Sequence, residues 1–507
     1  MINKSHYVVL VLIFACCFVL CSACGSDTDK MTPPTDIEAI EKLVATATDV
    51  PNQLLLRWKN ADNLQIEKLE LTYRTKSITG PKESLQMVPK LGHEQEILVD
   101  VPFYGLYVMT ISAYDRGANK LSESTVEARP AYGGTTSPVP VFLQRADILM
   151  ESMYRQFMMD RNYKGIWRDK ADITSGMAAL WGQGSALSGY TAIRRASQGY
   201  PEYLSKYAPL ADELFDNGIE SFKTVRSDVI EGLEAYACFP GAGNERFYDD
   251  DVWIALDMVD MYEQTRDQKY LERVELIWRF LMSGNDMQQG GGIYWKEQDR
   301  SSKNTCSTAP TAVMAAKLYL LTQEEKYKEK AIELYKWLKV TLQDPADYLF
   351  FDNINIKGEV STAKFSYNAG QPMQAAVLLY KITNDEMYLR DAQNIAASAF
   401  RHWFKSYDSP WLEETIFYID GHTWFNTILL RGYIELYRVD GNRTYINAYE
   451  QMLSNLWLSE LGHNRVVELL NYNDFTGLTS QNEWEILHIG ACVEMLAQMA
   501  LLESEGI

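Results

Sequence analysis

From about Asp36 to Pro130, apolar and polar residues alternate in short runs: "NQLLLRWKN", "KLELTYRT", "EILVDVPF", "GLYVMTISAYD" and "STVEARP". Alternation bounded by Asn, Gly, Pro and Asp predicts half-buried strands, and several such runs in succession predict a small sandwich. After the turn-rich stretch "AYGGTTSPVP" the period changes, and apolar residues recur at helical spacing from about Val141 onward. The expected organisation is an all-β unit over 36–132, a linker over 133–140 and a mainly helical domain over 141–507.

The helical part carries a repeat. "DMYEQTRDQKYLERV", "KLYLLTQEEKYKEKA", "LLYKITNDEMYLRDA" and "ELYRVDGNRTYINAY" each hold a Tyr (Tyr262, Tyr319, Tyr380, Tyr437) and a second Tyr eight positions later (Tyr270, Tyr327, Tyr388, Tyr445). By subtraction the first tyrosines lie 57, 61 and 57 residues apart. Each unit therefore reads as helix, short polar turn, helix, and a region this long holds about six of them. Six helical hairpins can close into an (α/α)6 toroid, whereas an open tetratricopeptide array would repeat at 34 residues. The four recurrent tyrosines read as packing between helices. The helix before each turn is the more apolar one and is expected to face the ring interior. The loops entering those helices, "GNERFYDDD", "GGGIYWKEQDRSSKNTCSTA", "FSYNAG" and "LEETIFYIDGHT", then gather at one mouth, where a rigid scaffold builds its sites.

Charge and cysteine usage narrow the function. The formal net charge of −20 disfavours nucleic acid and polyanionic glycans and favours a neutral substrate. Twelve Trp and 31 Tyr supply rings of the kind that stack on sugar faces, although most are expected to be ordinary packing. Cys238, Cys306 and Cys492 are scattered and read as buried free thiols. The six His show no metal-ligand spacing, so neither a metal nor a cofactor is expected. Near the N-terminus, the apolar run Tyr7 to Cys21 is too short to span a bilayer and reads as a signal peptide over 1–23. "CSAC", Cys21 to Cys24, resembles a bacterial lipobox with Cys21 where Leu is usual. That resemblance makes Cys24 the acylated residue, 24–35 a tether, and the protein lipid-anchored without spanning the membrane. The acidic residues after Cys24 resemble surface-export signals of Bacteroidetes lipoproteins, which implies the outer membrane, at the cell surface or on its periplasmic face.

The candidate chemistry lies in "FYDDDVW", where Asp249, Asp250 and Asp251 open a helix. One Asp suffices to cap a helix, and three adjacent ones repel. Two carboxyls at a helix start can also flank a glycosidic bond and divide the roles of nucleophile and acid/base, because neighbouring anions push their pKa values apart. Capping and catalysis both remain open on these residues alone.

A resemblance distinguishes them. Tyr248-Asp249-Asp250-Asp251-Val252-Trp253 resembles the Tyr-Asp-Asp-x-x-Trp signature of glycoside hydrolase family 76, the endo-α-1,6-mannanases. "GGGIYWK" (290–296) with Lys303 and Asn304, "YNAG" (367–370) and the surroundings of "DGHTWF" resemble further stretches of that family. Tyr294 where Trp is common, Ala369 in place of Gln, and "KNTCSTAP" depart from its pattern. Over about residues 145–500 the resemblance implies an (α/α)6 toroid that hydrolyses α-1,6-linked mannan with retention. Asp249 is implied as nucleophile, Asp250 as acid/base and Asp251 as a cap or supporting partner. Tyr248, Tyr294, Trp295, Asn304, Tyr367 and Asn368 are expected to bind substrate; Tyr367 and Asn368 serve equally as the cap of the next helix. Trp181, with room left by Gly182 and Gly184, reads as a sugar platform or as packing of the first hairpin. Trp295 follows a glycine run that would let a ligand approach, and Trp253 reads as packing behind the Asp pair. The all-β unit, with Trp58 and Tyr73 on early strands, resembles a fibronectin type III-like domain. Two other functions fit part of the pattern: a non-catalytic surface glycan-binding lipoprotein, and a toroid hydrolase of another glycan such as an unsaturated uronyl hydrolase. Oligomeric state has no signal in the sequence.

Overall fold

The computed structural model describes residues 39–505, apart from 51–52, 62–65, 76–82, 102–106, 131–138, 160–163, 226–229, 242, 465–467, 472–474 and 477–483. The signal peptide, Cys24, the tether and most of the expected linker lie outside the described residues.

The N-terminal unit is all β: β1 (Ile40–Ala47), β2 (Gln53–Asn60), β3 (Lys68–Thr75), β4 (Glu83–Met87), β5 (Glu94–Asp100), β6 (Tyr107–Tyr114) and β7 (Lys120–Ala128). They form two antiparallel sheets in the orders β1-β2-β5 and β4-β3-β6-β7. Alternation sets the faces: Leu54, Leu56 and Trp58 of β2 point inward onto Leu69, Leu71, Met109 and Ile111, while Arg57 on β2 faces solvent.

The helical domain contains α1 (Val141–Phe157), α2 (Leu180–Ala196), α3 (Pro201–Tyr207), α4 (Tyr248–Thr265), α5 (Gln268–Ser283), α6 (Thr305–Thr322), α7 (Glu325–Thr341), α8 (Tyr367–Thr383), α9 (Glu386–Trp403), α10 (Thr423–Asp440), α11 (Thr444–Asn464) and α12 (Ile486–Ser504). Helices α2, α4, α6, α8, α10 and α12 each touch the next, and α12 returns to α2, so they close an inner ring. Outside it, α3, α5, α7, α9 and α11 back the inner helix that precedes each in the chain, and α1 backs α12. The sixth pair thus joins the two ends of the domain. Inner helices are apolar around most of their circumference because both faces are covered. This explains why α12 has the length and hydropathy of a membrane span and yet lies buried in the ring. Some inner helices approach until only glycine fits: a Cβ on Gly370 would stand 2.4 Å from Ile428 O, and one on Gly490 2.6 Å from Ser185 O.

The repeated turns share one device. Arg266, Gln323, Asn384 and Gly441 adopt left-handed backbone (φ 59°, 61°, 57° and 69°) after α4, α6, α8 and α10, and each donates its N–H to the carbonyl of the first repeat tyrosine. Thr265, Thr322 and Thr383 then accept the N–H two residues on. The tyrosine repeat therefore marks helix ends as well as packing positions. At the C-terminal end of the ring, charged side chains close the bore, with Arg431 forked onto Glu494 (2.6 and 2.8 Å) and Lys317 on Asp260 (2.5 Å). The N-terminal end is open.

Candidate active site

The site begins where Phe247, in extended backbone, leads into α4. Residues 246–248 run antiparallel to 295–297: Tyr248 N–H donates to Trp295 O (2.9 Å) and Glu297 N–H to Arg246 O (3.0 Å). A buried two-pronged ion pair locks this pairing, Arg246 Nε to Glu297 Oε2 and Nη2 to Oε1, both at 2.6 Å. The register brings Trp295 against the first turn of α4, where its indole Nε1 donates to Asp249 Oδ2 at 3.0 Å. Cys306, at the start of α6, places its Sγ 3.5 Å from the same oxygen.

These groups line a cleft of about 610 Å³ at the open mouth of the ring. Of the residues singled out in the sequence, Asp249, Asp250, Trp181, Trp295, Asn304 and Tyr367 meet there. Three do not reach it. Tyr248 is fully buried, stacked on Phe280 (ring centroids 4.4 Å), with its hydroxyl 3.2 Å from Ser283 Oγ and accepting from Arg300 at 3.0 Å. Tyr294 turns the opposite way from Trp295, as neighbours in extended backbone must; its hydroxyl donates to Asp286 and the Lys303 ammonium lies over its ring. Asn368 is buried at the start of α8, with Nδ2 3.5 Å from Asp352 Oδ1, and supports the wall from behind.

Four further expectations are narrowed or changed. Of the two roles expected for Asp251 the structure has the supporting one: α4 has no side-chain cap, and the buried Asp251 Oδ1 accepts the Tyr236 N–H at 3.0 Å, tying the helix to the short strand Ala235–Tyr236. The glycines before Trp295 do not open space for a ligand. A Cβ on Gly292 would stand 2.5 Å from the Trp337 ring of α7, so that indole occupies the space. Gly182 and Gly184 likewise face Ile486 and Ile254 of neighbouring inner helices rather than leaving room beside Trp181. Trp253, expected as packing, does pack edge-on against Trp424 (4.9 Å) but also lines the cleft.

The structure brings further groups to the site. Asp352 and Asn353, from the segment after α7, Phe365, from the loop into α8, and Trp424 and Phe425, from the first turn of α10, extend the wall with Cys306 and Asp299. Phe365 belongs to "FSYNAG", and Trp424 and Phe425 to "DGHTWF". Asp352 sits in "FFDNIN" with no motif to mark it. Among the described residues, buried polar atoms without hydrogen-bond partners, Asp249 Oδ1, Trp181 Nε1 and Trp424 Nε1, cluster on residues of this cleft. Such atoms call for a hydrogen-bonding ligand or water.

Electrostatics separates the carboxyls. Burial pushes Asp249 up to about 6, held there by the Trp295 and Cys306 donors and by the free N–H groups of the helix start, which favour its charged form. Asp250 is pushed well above the usual carboxylate range by burial and by the charges of Asp249 and Asp251 on either side. Nearby His422 is lowered to about 4 by burial and is neutral at pH 7. Glycosidic cleavage needs one carboxyl that keeps its proton and one that loses it. A ring of helix pairs with such neighbours in an aromatic cleft defines a glycoside hydrolase.

The profile of glycosyl hydrolase family 76 matches residues 150–435, and the chain belongs to that family. A family 76 mannosidase structure from Bacteroides thetaiotaomicron is 41% identical over 72% of this chain and all of that one, with a TM-score of 0.67. An inactive variant of an α-1,6-mannanase from Salegentibacter sp., with two adjacent aspartates replaced by alanine and α-1,6-mannotetrose bound, is 26% identical over 71% of this chain and 99% of that one (TM-score 0.55). A putative mannan endo-1,6-alpha-mannosidase of Schizosaccharomyces pombe is 28% identical over 121 residues, 22% of this chain and 27% of that protein, so the chain spans about a quarter of the length of that curated relative.

Proposed function

We propose that this protein cleaves α-1,6-linked mannan backbones internally, with retention of anomeric configuration. The observation that carries the reading is the adjacent buried pair in the cleft: Asp249 accepts the Trp295 N–H, which favours its charged form, while burial and the carboxyls on either side favour the protonated form of Asp250. In the first step Asp249 Oδ attacks the anomeric carbon, Asp250 gives its proton to the departing glycosidic oxygen, and a mannosyl ester of Asp249 forms. In the second, Asp250 takes a proton from water, which displaces Asp249 and restores both groups. Trp181, Trp295 and Trp424 offer ring surface to the sugars, and Asp352, Asn353 and Asn304 offer acceptors and donors to their hydroxyls. The neutral substrate suits an acidic protein. The Salegentibacter relative, whose bound ligand is an α-1,6-mannotetrose, supports the substrate class.

The same proposal includes Cys24 as a lipid-anchored first residue at the outer membrane, with 24–35 as tether. It reads the β unit over 36–132 as a fibronectin type III-like spacer, a reading supported by the three-plus-four strand order. Release of new reducing ends from unbranched α-1,6-mannan tests the activity. Asp249→Asn and Asp250→Asn are each expected to abolish it, and full activity in both variants would refute the assignment.

A further inference from the structure

Beyond the phenyl rings of Phe365 and Phe425, the mouth of the ring opens into a second cleft of about 400 Å³, within the size range of small-ligand sites. Both rings also line the catalytic cleft, so the two clefts share a wall. That wall is well braced: Phe365 meets Phe425 edge-on at 5.6 Å, and Phe425 is held by Tyr367 (4.2 Å) and His422 (4.4 Å). Across the second cleft stands Trp403, the last residue of α9, with His402 edge-on to it at 4.7 Å. The Asp420 N–H donates to Trp403 O at 3.1 Å, which joins the backbones of the two residues, and the exposed Asp420 lines the same cleft. His422 also lines this cleft, and its buried Nδ1 has no hydrogen-bond partner among the described residues.

A cleft lined by an indole, a carboxylate and an imidazole suits a pyranose, which presents C–H groups to a ring and hydroxyls to polar side chains. Of the two lysines lining this cleft, Lys364 is held by Asp344 (2.5 Å) and Asp347 (2.8 Å), and Lys405 donates to His402 O at 3.2 Å. A 1,6 link also carries one more rotatable bond than links between ring carbons, so a chain can bend across a ridge.

We propose that the cleft between Trp403 and the Phe365–Phe425 ridge is a distal sugar subsite, which holds the mannan chain beyond the units in the catalytic cleft. This rests on the mannanase reading above. It is tested by comparing kcat/KM on α-1,6-mannohexaose with that on α-1,6-mannotriose for wild type, Trp403→Ala and Asp420→Ala. The expected result is a hexaose-to-triose ratio about tenfold lower in Trp403→Ala and several-fold lower in Asp420→Ala. Asp420 is exposed, so its variant keeps the test valid if loss of the indole disturbs folding. A wild-type ratio in Asp420→Ala, with the same in a folded Trp403→Ala, would overturn the proposal. So would a defect confined to branched mannan, because the cleft would then take side chains. Wild-type protein that leaves both oligomers intact would instead overturn the mannanase reading, and the distal subsite with it.

Discussion

Trp295→Phe isolates the contact that sets the ionisation of Asp249. The substitution keeps an aromatic ring over the cleft but removes the indole N–H that lies 3.0 Å from Asp249 Oδ2. A hydrogen bond to a charged group contributes about 1.5–3 kcal/mol. Trp295 is 43% exposed, so water replaces part of what is lost and the lower end applies. One pKa unit corresponds to about 1.36 kcal/mol, so the shift expected for Asp249 is about one unit. The sign follows from which form is stabilised: the N–H favours the carboxylate, its loss raises the pKa, and Asp249 then needs a higher pH to act as nucleophile. The acid limb of kcat/KM against pH, expected near 6 in the wild type, should move up by about one unit in Trp295→Phe. The position of the limb is the readout, because plateau height also responds to altered sugar stacking. A limb that stays in place, or moves to lower pH, would refute the claim that this indole poises Asp249.

Three other changes follow from the same structure. Asp250 is buried and its folded pKa lies above the unfolded value, so it favours folding only where protonated, and that contribution is lost as pH rises through the folded pKa; Asp250→Asn should therefore raise Tm at pH 7 to 8, with the gain vanishing below about pH 4, where the unfolded carboxyl is also protonated. Gly292→Ala combines a left-handed φ of +74° with a Cβ 2.5 Å from the Trp337 ring. It should destabilise by roughly 2–5 kcal/mol and lower activity through Trp295, read by thermal melts beside kcat/KM. Gln323→Gly relieves a left-handed residue at the end of α6 and should stabilise by about 0.5–1 kcal/mol after the entropy of the unfolded glycine is subtracted, with kcat/KM unchanged.

Periodicity and spacing carried much of the architecture. The tyrosine spacing is legible because each unit repeats the same helix end, a left-handed residue whose N–H binds the tyrosine carbonyl. Ring closure was less legible, since the sixth pair joins α12 to α1 from opposite ends of the domain. Strands β1 and β4 escaped the alternation reading for local reasons. β1 is interrupted by a bulge between Glu41 and Val44, and β4 is a largely exposed edge. In the site, Asp249 and Asp250 stood out because like charges had been placed together at a helix start. Asp352 did not, because a single loop Asp becomes part of a site only through the chain's path. The glycines misled for a related reason. A glycine run signals close approach, but sequence does not say whether a ligand or a tryptophan such as Trp337 does the approaching. Tyr248 and Tyr294 misled because residues adjacent to a functional side chain point away from it.

If Asp249 attacks while Asp250 serves as acid and then base, each cleavage inverts the anomeric carbon twice. Proton NMR of the first products released from unbranched α-1,6-mannan, followed from the earliest minutes before mutarotation, reads the outcome. The new reducing ends should appear as the α anomer, with β building up later by mutarotation. New ends that appear first as the β anomer would mean single inversion by water, and would rule out a mannosyl ester of Asp249.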